Sequence, residues 1–406
     1  MKTRQNLSKV LSFLLILSIV CSGILYAEKD NLAEQSIISE SVQQVGPGTH
    51  YKNTKWVTPK GMFNINTVET AIGTEFIKIE AADNGKTTGI ATVSKQAERK
   101  AQKDSRVIGA VNGDFFYTNE LMGLPSGITI INGEVRTATS NNTVFGVTYN
   151  GNCFIDDITM KASANIGKRR YEIAGVNRVR WDNQLILYTP SFNKPTNTKG
   201  EGIEVVVKDV DLPILGNREY KGVVEKIHKD VKSIEIPEDR VVLSGQGKAA
   251  EFLNTLKEDD EISFNVSFSR GDIEHAISGT PRILKGGQIA EDVKFRGDAL
   301  TRHPRTAVGI KGGQIVLVTV DGRKKGFSDG MNLYELGEYM LDEGITDALN
   351  LDGGGSTTMI VRRQGDLSSN LVNFPSDGRE RSVANSIQII SKAPISEPKI
   401  IRFMQD

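Results

Sequence analysis

Three apolar runs that each stop at an Asn-Gly or Asp-Gly step constrain the fold of this chain more than any other feature. Residues 107–111 run into Asn112-Gly113-Asp114, residues 315–320 into Asp321-Gly322-Arg323, and residues 348–351 into Asp352-Gly353-Gly354-Gly355. Uninterrupted apolar runs of this length are typical of strands buried on both faces. Glycine after a strand lets the backbone turn sharply and approach a ligand. If the three strands are neighbours, their terminal carboxylates should meet at one rim of a sheet.

Turn and periodicity signals add hairpins and a few helices. Asn132-Gly133 and Asn150-Gly151 each lie between short apolar runs, a pattern typical of hairpin turns. Helical spacing predicts helices over residues 93–104 and 332–342, the second capped by Ser328 or Asp329. We therefore predict an α+β fold, with a mixed, mostly antiparallel sheet and few packed helices.

The composition changes along the chain and indicates how it is organised. The segments predicted are a signal peptide at 1–27, a linker at 28–50, a main domain at 51–392 interrupted by a β-rich lobe at about 161–275, and a tail at 393–406. Basic residues, an apolar run and Ala27 at the cleavage position are the marks of a secretory signal peptide; an uncleaved membrane anchor is the alternative. The protein is thus expected to be secreted or extracellular at the cell surface, with no other membrane partner.

Charge and cysteine content limit the classes of partner and site. The chain has 50 basic and 50 acidic residues, so net charge gives no case for binding nucleic acid. Without residues 1–27 its one remaining cysteine is Cys153. One thiol cannot form an intramolecular disulfide or a metal site built on several thiolates.

The glycine-rich segment 348–361 is not a nucleotide-phosphate loop. A P-loop requires G-x-x-x-x-G-K-[ST] followed by a helix, whereas here no lysine is present and an apolar, β-branched run follows. A dinucleotide-binding fingerprint also needs a helix after its glycines. The segment is therefore predicted to be a strand, an acidic loop and a second strand.

Two basic clusters precede further predicted strands. His303-Pro304-Arg305-Thr306 comes before residues 307–310, and Arg379-Glu380-Arg381-Ser382 comes shortly before residues 386–390. Arginine is suited to two-point contacts with phosphate or carboxylate. A solvated charge pair at the start of a strand is the alternative for each cluster.

Taken together, these motifs resemble the phosphodiester glycosidase family. The segments that carry the resemblance are 112–116 (NGDFF), 303–309 (HPRTAVG), 321–323 (DGR), 350–359 (NLDGGGSTTM) and 381–385 (RSVAN). The resemblance implies hydrolysis of a sugar-1-phosphodiester at the anomeric carbon, giving a free sugar and a phosphomonoester. The substrate expected is a sugar-phosphate or polysaccharide of the cell envelope or extracellular glycans, in a bacterial setting.

The resemblance also implies roles for particular residues. Candidate catalytic groups are Asp352, Asp114, Asp321 and His303. Candidate substrate-binding residues are Asn112, Arg305, Thr306, Arg323, Gly353, Gly354, Gly355, Ser356, Thr357, Arg381, Ser382 and Asn385. Glycoside cleavage needs a carboxylate to stabilise positive charge at the anomeric carbon, and arginines would neutralise the departing phosphate. No cofactor is assigned; Ca²⁺ or Mg²⁺ on the three aspartates is left open, without supporting ligand spacing.

Two other functions remain open at this point. The chain could be a non-catalytic envelope or polysaccharide-binding protein, or an exopolysaccharide-processing hydrolase with the same fold. A serine hydrolase is disfavoured because the chain has no G-x-S-x-G elbow.

Overall fold

The computed structural model describes residues 36–101, 104–192 and 195–394, and strands dominate it. In chain order the strands are β1 (Ser36–Gly46), β2 (Thr49–Thr58), β3 (Gly61–Ala71), β4 (Ile77–Asp83), β5 (Arg106–Asn112), β6 (Thr129–Ile131), β7 (Glu134–Thr137), β8 (Asn141–Thr148), β9 (Cys153–Ile166), β10 (Arg169–Val176), β11 (Leu185–Tyr188), β12 (Gly202–Lys208), β13 (Arg218–Val231), β14 (Val241–Gly245), β15 (Glu261–Phe268), β16 (Ile273–Ser278), β17 (Arg282–Lys285), β18 (Gln288–Ile289), β19 (Arg305–Lys311), β20 (Gln314–Val320), β21 (Asp347–Asn350), β22 (Met359–Val361), β23 (Asn370–Leu371) and β24 (Asn385–Ser391).

Helices are few and short. They are α1 (Val93–Lys100), α2 (Lys248–Leu253), α3 (Glu291–Lys294) and α4 (Leu333–Asp342), with 3₁₀ turns at Pro190–Phe192 and Gly354–Ser356. No helix in the described ranges is both long enough and apolar enough to cross a membrane. The predicted antiparallel sheets and sparse helices are confirmed, but strands so outnumber helices that the fold is mostly β and only roughly α+β.

Two sheets pack face to face and form the main body. The eight-stranded sheet has the order β1-β2-β3-β20-β19-β21-β17-β18, and the five-stranded sheet has the order β23-β22-β5-β24-β4. Val68, Leu317 and Leu349 of the first pack with Val111 and Ile387 of the second in one buried cluster. Burial on that face explains why β5, β20 and β21 are apolar, since a strand facing a second layer cannot present polar groups there.

Each sheet also has a helix on its outer face. Leu336 and Met340 of α4 pack on the eight-stranded sheet, and Val93 and Ala97 of α1 pack on the five-stranded sheet. Asn332 starts α4 with a reciprocal capping box to Glu335, so the predicted caps Ser328 and Asp329 were wrong. Because β5, β20 and β21 are covered on both faces, their ends are the only parts free to form a site.

The middle of the chain forms a closed lobe, defined here as residues 153–268. Seven strands close on themselves in the order β9-β10-β11-β14-β12-β13-β15, with β15 returning to β9. The first half of β9 pairs with β8 and its second half pairs with β10 and β15, so this strand joins the lobe to the main body. The interior is filled by apolar side chains such as Leu243 and Phe264.

Residues assigned to a linker in the sequence are partly a strand. Residues 36–46 form β1, paired antiparallel with β2 at the edge of the eight-stranded sheet. The segment is polar because an edge strand has one side open to water, so its composition resembles that of a linker. The predicted signal peptide at 1–27 lies outside the described residues, as does most of the predicted tail.

Candidate active site

The three Asp/Asn-Gly strand ends meet, although they belong to two sheets and not to one. β20 and β21 flank β19 in the eight-stranded sheet, whereas β5 lies in the five-stranded sheet. The Asp352 amide donates to the Gly113 carbonyl at 2.9 Å, and the Asn112 side-chain amide donates to the Asp352 carbonyl at 2.6 Å. These two hydrogen bonds join the end of β5 to the residue range that follows β21, across the interface between the two sheets. The candidate site therefore lies at the rim of the two packed sheets.

Asp114 is the more deeply buried of the two carboxyls at this junction. It is 3% exposed, and its Oδ2 accepts the Gly127 amide at 2.8 Å. Burial raises its pKa to about 8, opposed by the Gly127 hydrogen bond and the charge of Arg178, while Asp352 pushes it further up. Asp114 is therefore mainly protonated at neutral pH.

Asp352 is less enclosed and titrates lower. Burial raises its pKa to about 6, whereas the Ser356 hydroxyl, the charge of Arg381 and the Gly353 amide all favour the ionised form. At neutral pH this carboxyl is mainly a carboxylate. Two adjacent carboxyl groups with pKa values pushed apart can supply a proton donor and an anion in one site.

Asp321 lies at the end of β20 but is occupied by internal hydrogen bonds. Its Oδ2 accepts from Asn64 at 2.6 Å, and its Oδ1 accepts from the Asn373 side chain at 3.2 Å and the Phe374 amide at 2.9 Å. Burial raises its pKa to about 6 against these hydrogen bonds. The geometry favours an orienting role over the catalytic one expected from the sequence, since this carboxylate fastens β3 and residues 373–374 to the rim.

Two arginines and a histidine form the outer edge of the cluster. Arg381 donates to the Asp377 carboxylate at 2.6 Å and to the Ser356 hydroxyl at 3.4 Å. Arg323 donates to His303 Nδ1 at 3.2 Å. Because a guanidinium only donates, Nδ1 accepts and the proton of the neutral ring lies on Nε2. Burial, then the charges of Arg305 and Arg323, lower the pKa of His303, so the ring is neutral at pH 7.

Several predicted substrate-binding side chains face inward and bind other parts of the protein. Arg305 donates to the carbonyls of Met331 and Thr301, at 2.9 and 2.8 Å, and is 5% exposed. It therefore fastens two loops beneath the site, and the expected phosphate contact has no support in its geometry. Burial lowers its pKa, a cost that the two carbonyl acceptors offset.

The amide side chains have a similar supporting role. Asn112 Oδ1 accepts from the Thr306 hydroxyl at 2.8 Å and the Thr358 amide at 3.0 Å. Asn385 accepts the Asp114 amide at 2.8 Å and donates to Thr129 at 3.1 Å. Both asparagines are buried and position the loops that carry Asp114 and Asp352, without a free group for substrate.

The glycine loop after Asp352 is shaped by close contacts. The Gly354 amide donates to the Pro304 carbonyl at 2.9 Å, and Ser356 and Thr357 donate back to Gly353 and Gly354 in a 3₁₀ turn. The main-chain amides of three candidate substrate-binding residues, Gly354, Ser356 and Thr357, are thus used in internal hydrogen bonds. At Gly355 a side chain would collide with Arg381, which explains why the loop has no Cβ there. Ser382 is partly buried next to Arg381.

Arg178 and an aromatic pair are site neighbours that the sequence analysis missed. Arg178 follows β10 in the closed lobe, yet it lies close enough to Asp114 to influence the pKa of that carboxyl. Lys324 lies 3.3 Å from the centre of the Phe374 ring, which packs edge-on against Phe327 at 5.8 Å. No sequence motif near Arg178 indicates a role in the site. Lys324 directly follows the Asp-Gly-Arg motif, so it could have been predicted as a site residue from the sequence.

The aspartates do not form a metal cluster. Within residues 36–101, 104–192 and 195–394, no group of three or more His, Cys, Asp or Glu side chains is arranged to hold a metal ion. Asp321 is turned toward its own amide partners, so the Ca²⁺ or Mg²⁺ arrangement left open by the sequence is not formed by these three carboxyls.

Comparison with known proteins finds similar sequences and similar folds. The phosphodiester glycosidase family model matches residues 218–390, which include every candidate site residue except Asn112 and Asp114. N-acetylglucosamine-1-phosphodiester α-N-acetylglucosaminidase of Bos taurus is 43% identical over 74 residues, or 18% of this chain and 12% of the bovine protein. The aligned part thus spans about an eighth of that relative's length.

Two solved structures are similar in fold. A hypothetical protein from Synechocystis superposes with a TM-score of 0.70 at 18% identity, covering 87% of this chain and 64% of its own. A Burkholderia pseudomallei K96243 protein described as exported gives a TM-score of 0.68 at 17% identity, covering 87% of this chain and 96% of its own. Residues 218–390 of this chain are therefore similar to the phosphodiester glycosidase family, by the match to its family model.

Proposed function

We propose that the protein is a glycosidase that hydrolyses sugar-1-phosphodiesters at the anomeric carbon, releasing a free sugar and a phosphomonoester. The observation that carries this proposal is the pair Asp114 and Asp352, adjacent carboxyls whose pKa values are about 8 and about 6. Cleavage through an oxocarbenium-like transition state uses one carboxylate and one acid of this kind. The bovine relative is named for such an activity on an N-acetylglucosamine phosphodiester.

The charge of each residue determines the role that we assign to it. Ionised Asp352 would stabilise positive charge at the anomeric carbon, and protonated Asp114 would give a proton to the departing phosphate oxygen. Arg381 and Arg323, both exposed at the edge of the cluster, would neutralise the phosphate. Neutral His303 beside Arg323 could donate from Nε2 to a phosphate oxygen or sugar hydroxyl.

Export to the cell envelope is the second part of the proposal. Residues 1–27 have the basic, apolar and small-residue pattern of a secretory signal, and extracellular sugar-phosphate glycans would then be the substrates. Comparing the N-terminal residue of protein recovered from cell medium or envelope with the encoded sequence tests export directly. An intact N-terminus on protein found only inside cells would contradict it.

The test of activity is sugar release from a panel of substrates. The panel holds UDP-N-acetylglucosamine, an N-acetylglucosamine-1-phospho-alkyl diester, the matching glucose and galactose diesters, and purified wall polymer. Wild type should release sugar from at least one, with kcat/KM highest between about pH 6 and pH 8, where Asp352 is ionised and Asp114 protonated. The Asp352→Asn substitution should lower kcat/KM by roughly 10²–10⁴-fold.

Asp259→Asn is the matched control, because it makes the same change on an exposed carboxyl of the closed lobe. It should retain full activity. Absence of sugar release by folded wild type from every substrate, or equal release by the Asp352→Asn variant, would overturn the proposal.

A further inference from the structure

A cavity at the far end of the five-stranded sheet has no role in the proposed reaction. It has a volume of about 290 Å³ and is bordered by residues 71–74, 77–80, 147, 149–151 and 274–275. These belong to the end of β3, the β3–β4 connection, β4, the end of β8, the β8–β9 turn and β16, so several parts of the fold meet there. Its size is at the lower end of the range for small-molecule sites and suits a single sugar ring.

The cavity is distinct from the candidate active site. β24 pairs with β4 in a register that places Asn385 opposite Asp83 and Ser391 opposite Ile77. Asn385 binds Asp114 at one end of β24, whereas Ile77 borders the cavity at the other end. Six residues of strand at about 3.3 Å each separate the two places by roughly 20 Å.

The polar lining of the cavity offers both donors and acceptors with little net charge. Lys78, Glu80 and Glu274 line it, and Lys100, which is not part of the lining, forms a 3.0 Å ion pair with Glu80. The positive charges of these two lysines equal the negative charges of the two glutamates. A balanced set of hydrogen-bonding groups favours a neutral polyhydroxyl ligand over a phosphate or a polyanion.

His275 adds a neutral imidazole to this lining. It is 3% exposed, and its Nδ1 accepts the Asn132 amide at 3.3 Å, so the ring proton lies on Nε2. Burial lowers the pKa of His275 to about 4, which keeps the ring uncharged at neutral pH. The reaction proposed above makes no use of this buried imidazole.

Tyr149 supplies an apolar face at the mouth of the cavity. Its side chain is 60% exposed, yet its amide donates to the Asp272 carbonyl at 3.1 Å and its hydroxyl lies against Gly133. The neighbouring Gly73 and Gly151 face open space, since a Cβ at either would meet no atom within 4 Å. A fixed, exposed aromatic ring beside an open polar cavity can cover the C–H face of a sugar while the polar groups bind its hydroxyls.

We propose that this cavity is a second carbohydrate-binding site, which takes one neutral sugar unit between Tyr149 and the lining formed by Lys78, Glu80, Glu274 and His275. The site would hold a glycan away from the catalytic cluster. It does not depend on the proposed hydrolysis, because binding at the cavity requires none of the catalytic residues.

Binding is measured by saturation-transfer NMR titration of the full chain with N-acetylglucosamine, glucose, galactose and glucose 1-phosphate. At least one neutral sugar should bind saturably to wild type and equally to Asp352→Asn. Tyr149→Ala should weaken that binding roughly five- to tenfold, the size expected for losing one aromatic contact. Glu80→Gln, which retains the shape of the side chain, should weaken it as well.

Trp181→Ala is the matched control because it removes another exposed aromatic ring, 56% exposed, from the closed lobe. It should leave binding unchanged, and Tyr149→Ala should leave hydrolysis of small diesters unchanged. Loss of binding in Asp352→Asn but not in Tyr149→Ala would place the sugar at the catalytic cluster and overturn the proposal. So would the absence of saturable binding, or Tyr149-dependent binding of glucose 1-phosphate in preference to glucose.

Discussion

Asp114 is a carboxyl that the fold keeps uncharged, and this has a consequence for stability. Its pKa is about 8 in the folded protein, against 3.8 for an aspartate fully exposed to water. Between these two values the folded state holds a proton that the unfolded chain has released. The contribution of Asp114 to the free energy of unfolding therefore falls as pH rises from about 4 to about 8.

Asp114→Asn removes this titration, so the variant should gain stability relative to wild type as pH rises. The difference in unfolding free energy should change by about 1.4 kcal/mol per pH unit between pH 5 and pH 7. Urea unfolding of both proteins at pH 5, 6 and 7 measures it. A difference that stays constant over this range would show that Asp114 is ionised in the folded protein.

At this scale the sequence predicted which residues gather but not what each one does. Asp114, Asp352, Arg381 and His303 lie in or at the edge of one cluster, as the motifs indicated. Arg305 instead donates to main-chain carbonyls. The sequence could not distinguish a side chain that faces the cluster from one that binds the main chain. The direction of a side chain depends on which loops pack over the end of the strand.

Among the elements, the turn after β21 depends on the absence of a side chain. A Cβ at Gly353 would lie 2.8 Å from the Pro304 carbonyl oxygen, and main-chain atoms there cannot rotate away. Gly353→Ala should therefore lower the free energy of unfolding by about 1–3 kcal/mol. Chemical denaturation measures this loss directly.

Gly297→Ala is the control for this prediction, since a Cβ at position 297 would meet nothing within 4 Å. Its free energy of unfolding should stay within about 0.5 kcal/mol of wild type. Equal effects of the two substitutions would mean that the contact between the 353 turn and Pro304 is relaxed in solution.

Local signals predicted some elements well and others poorly. Asn132 and Gly133 both have positive φ, 52° and 78°, and join β6 to β7 in the predicted hairpin. α1 ends at Lys100, four residues before the predicted end, where Ala101 is extended. Turn chemistry depends on two residues and is readable, whereas the end of a helix depends on what the chain packs against next.

In the whole molecule, Arg178 couples the closed lobe to the candidate active site. Its charge favours the ionised form of Asp114, and burial in turn lowers the pKa of Arg178 itself. Arg178→Met should therefore raise the pKa of Asp114 and move the alkaline limb of the kcat/KM profile to higher pH. The acid limb, assigned to Asp352, should shift less.

The measurement is the pH profile of sugar release by folded Arg178→Met. Arg169→Met, an exposed lobe residue on β10, is the control and should leave both limbs in place. A profile that keeps its alkaline limb while only its height falls would assign Arg178 a purely structural role, through its contacts with Pro125 and Thr137.

By itself the sequence determined the alternation of strands and turns, the sparse helices and the motifs that carry the family resemblance. These features depend on residues close in the chain, where apolar periodicity and turn residues act directly. Only the tertiary structure decided that β5 faces β20 and β21 from a second sheet, and that Arg178 lies near Asp114. It also decided that Asp321 and Arg305 serve as supports, because buried polar groups must find partners wherever packing brings them.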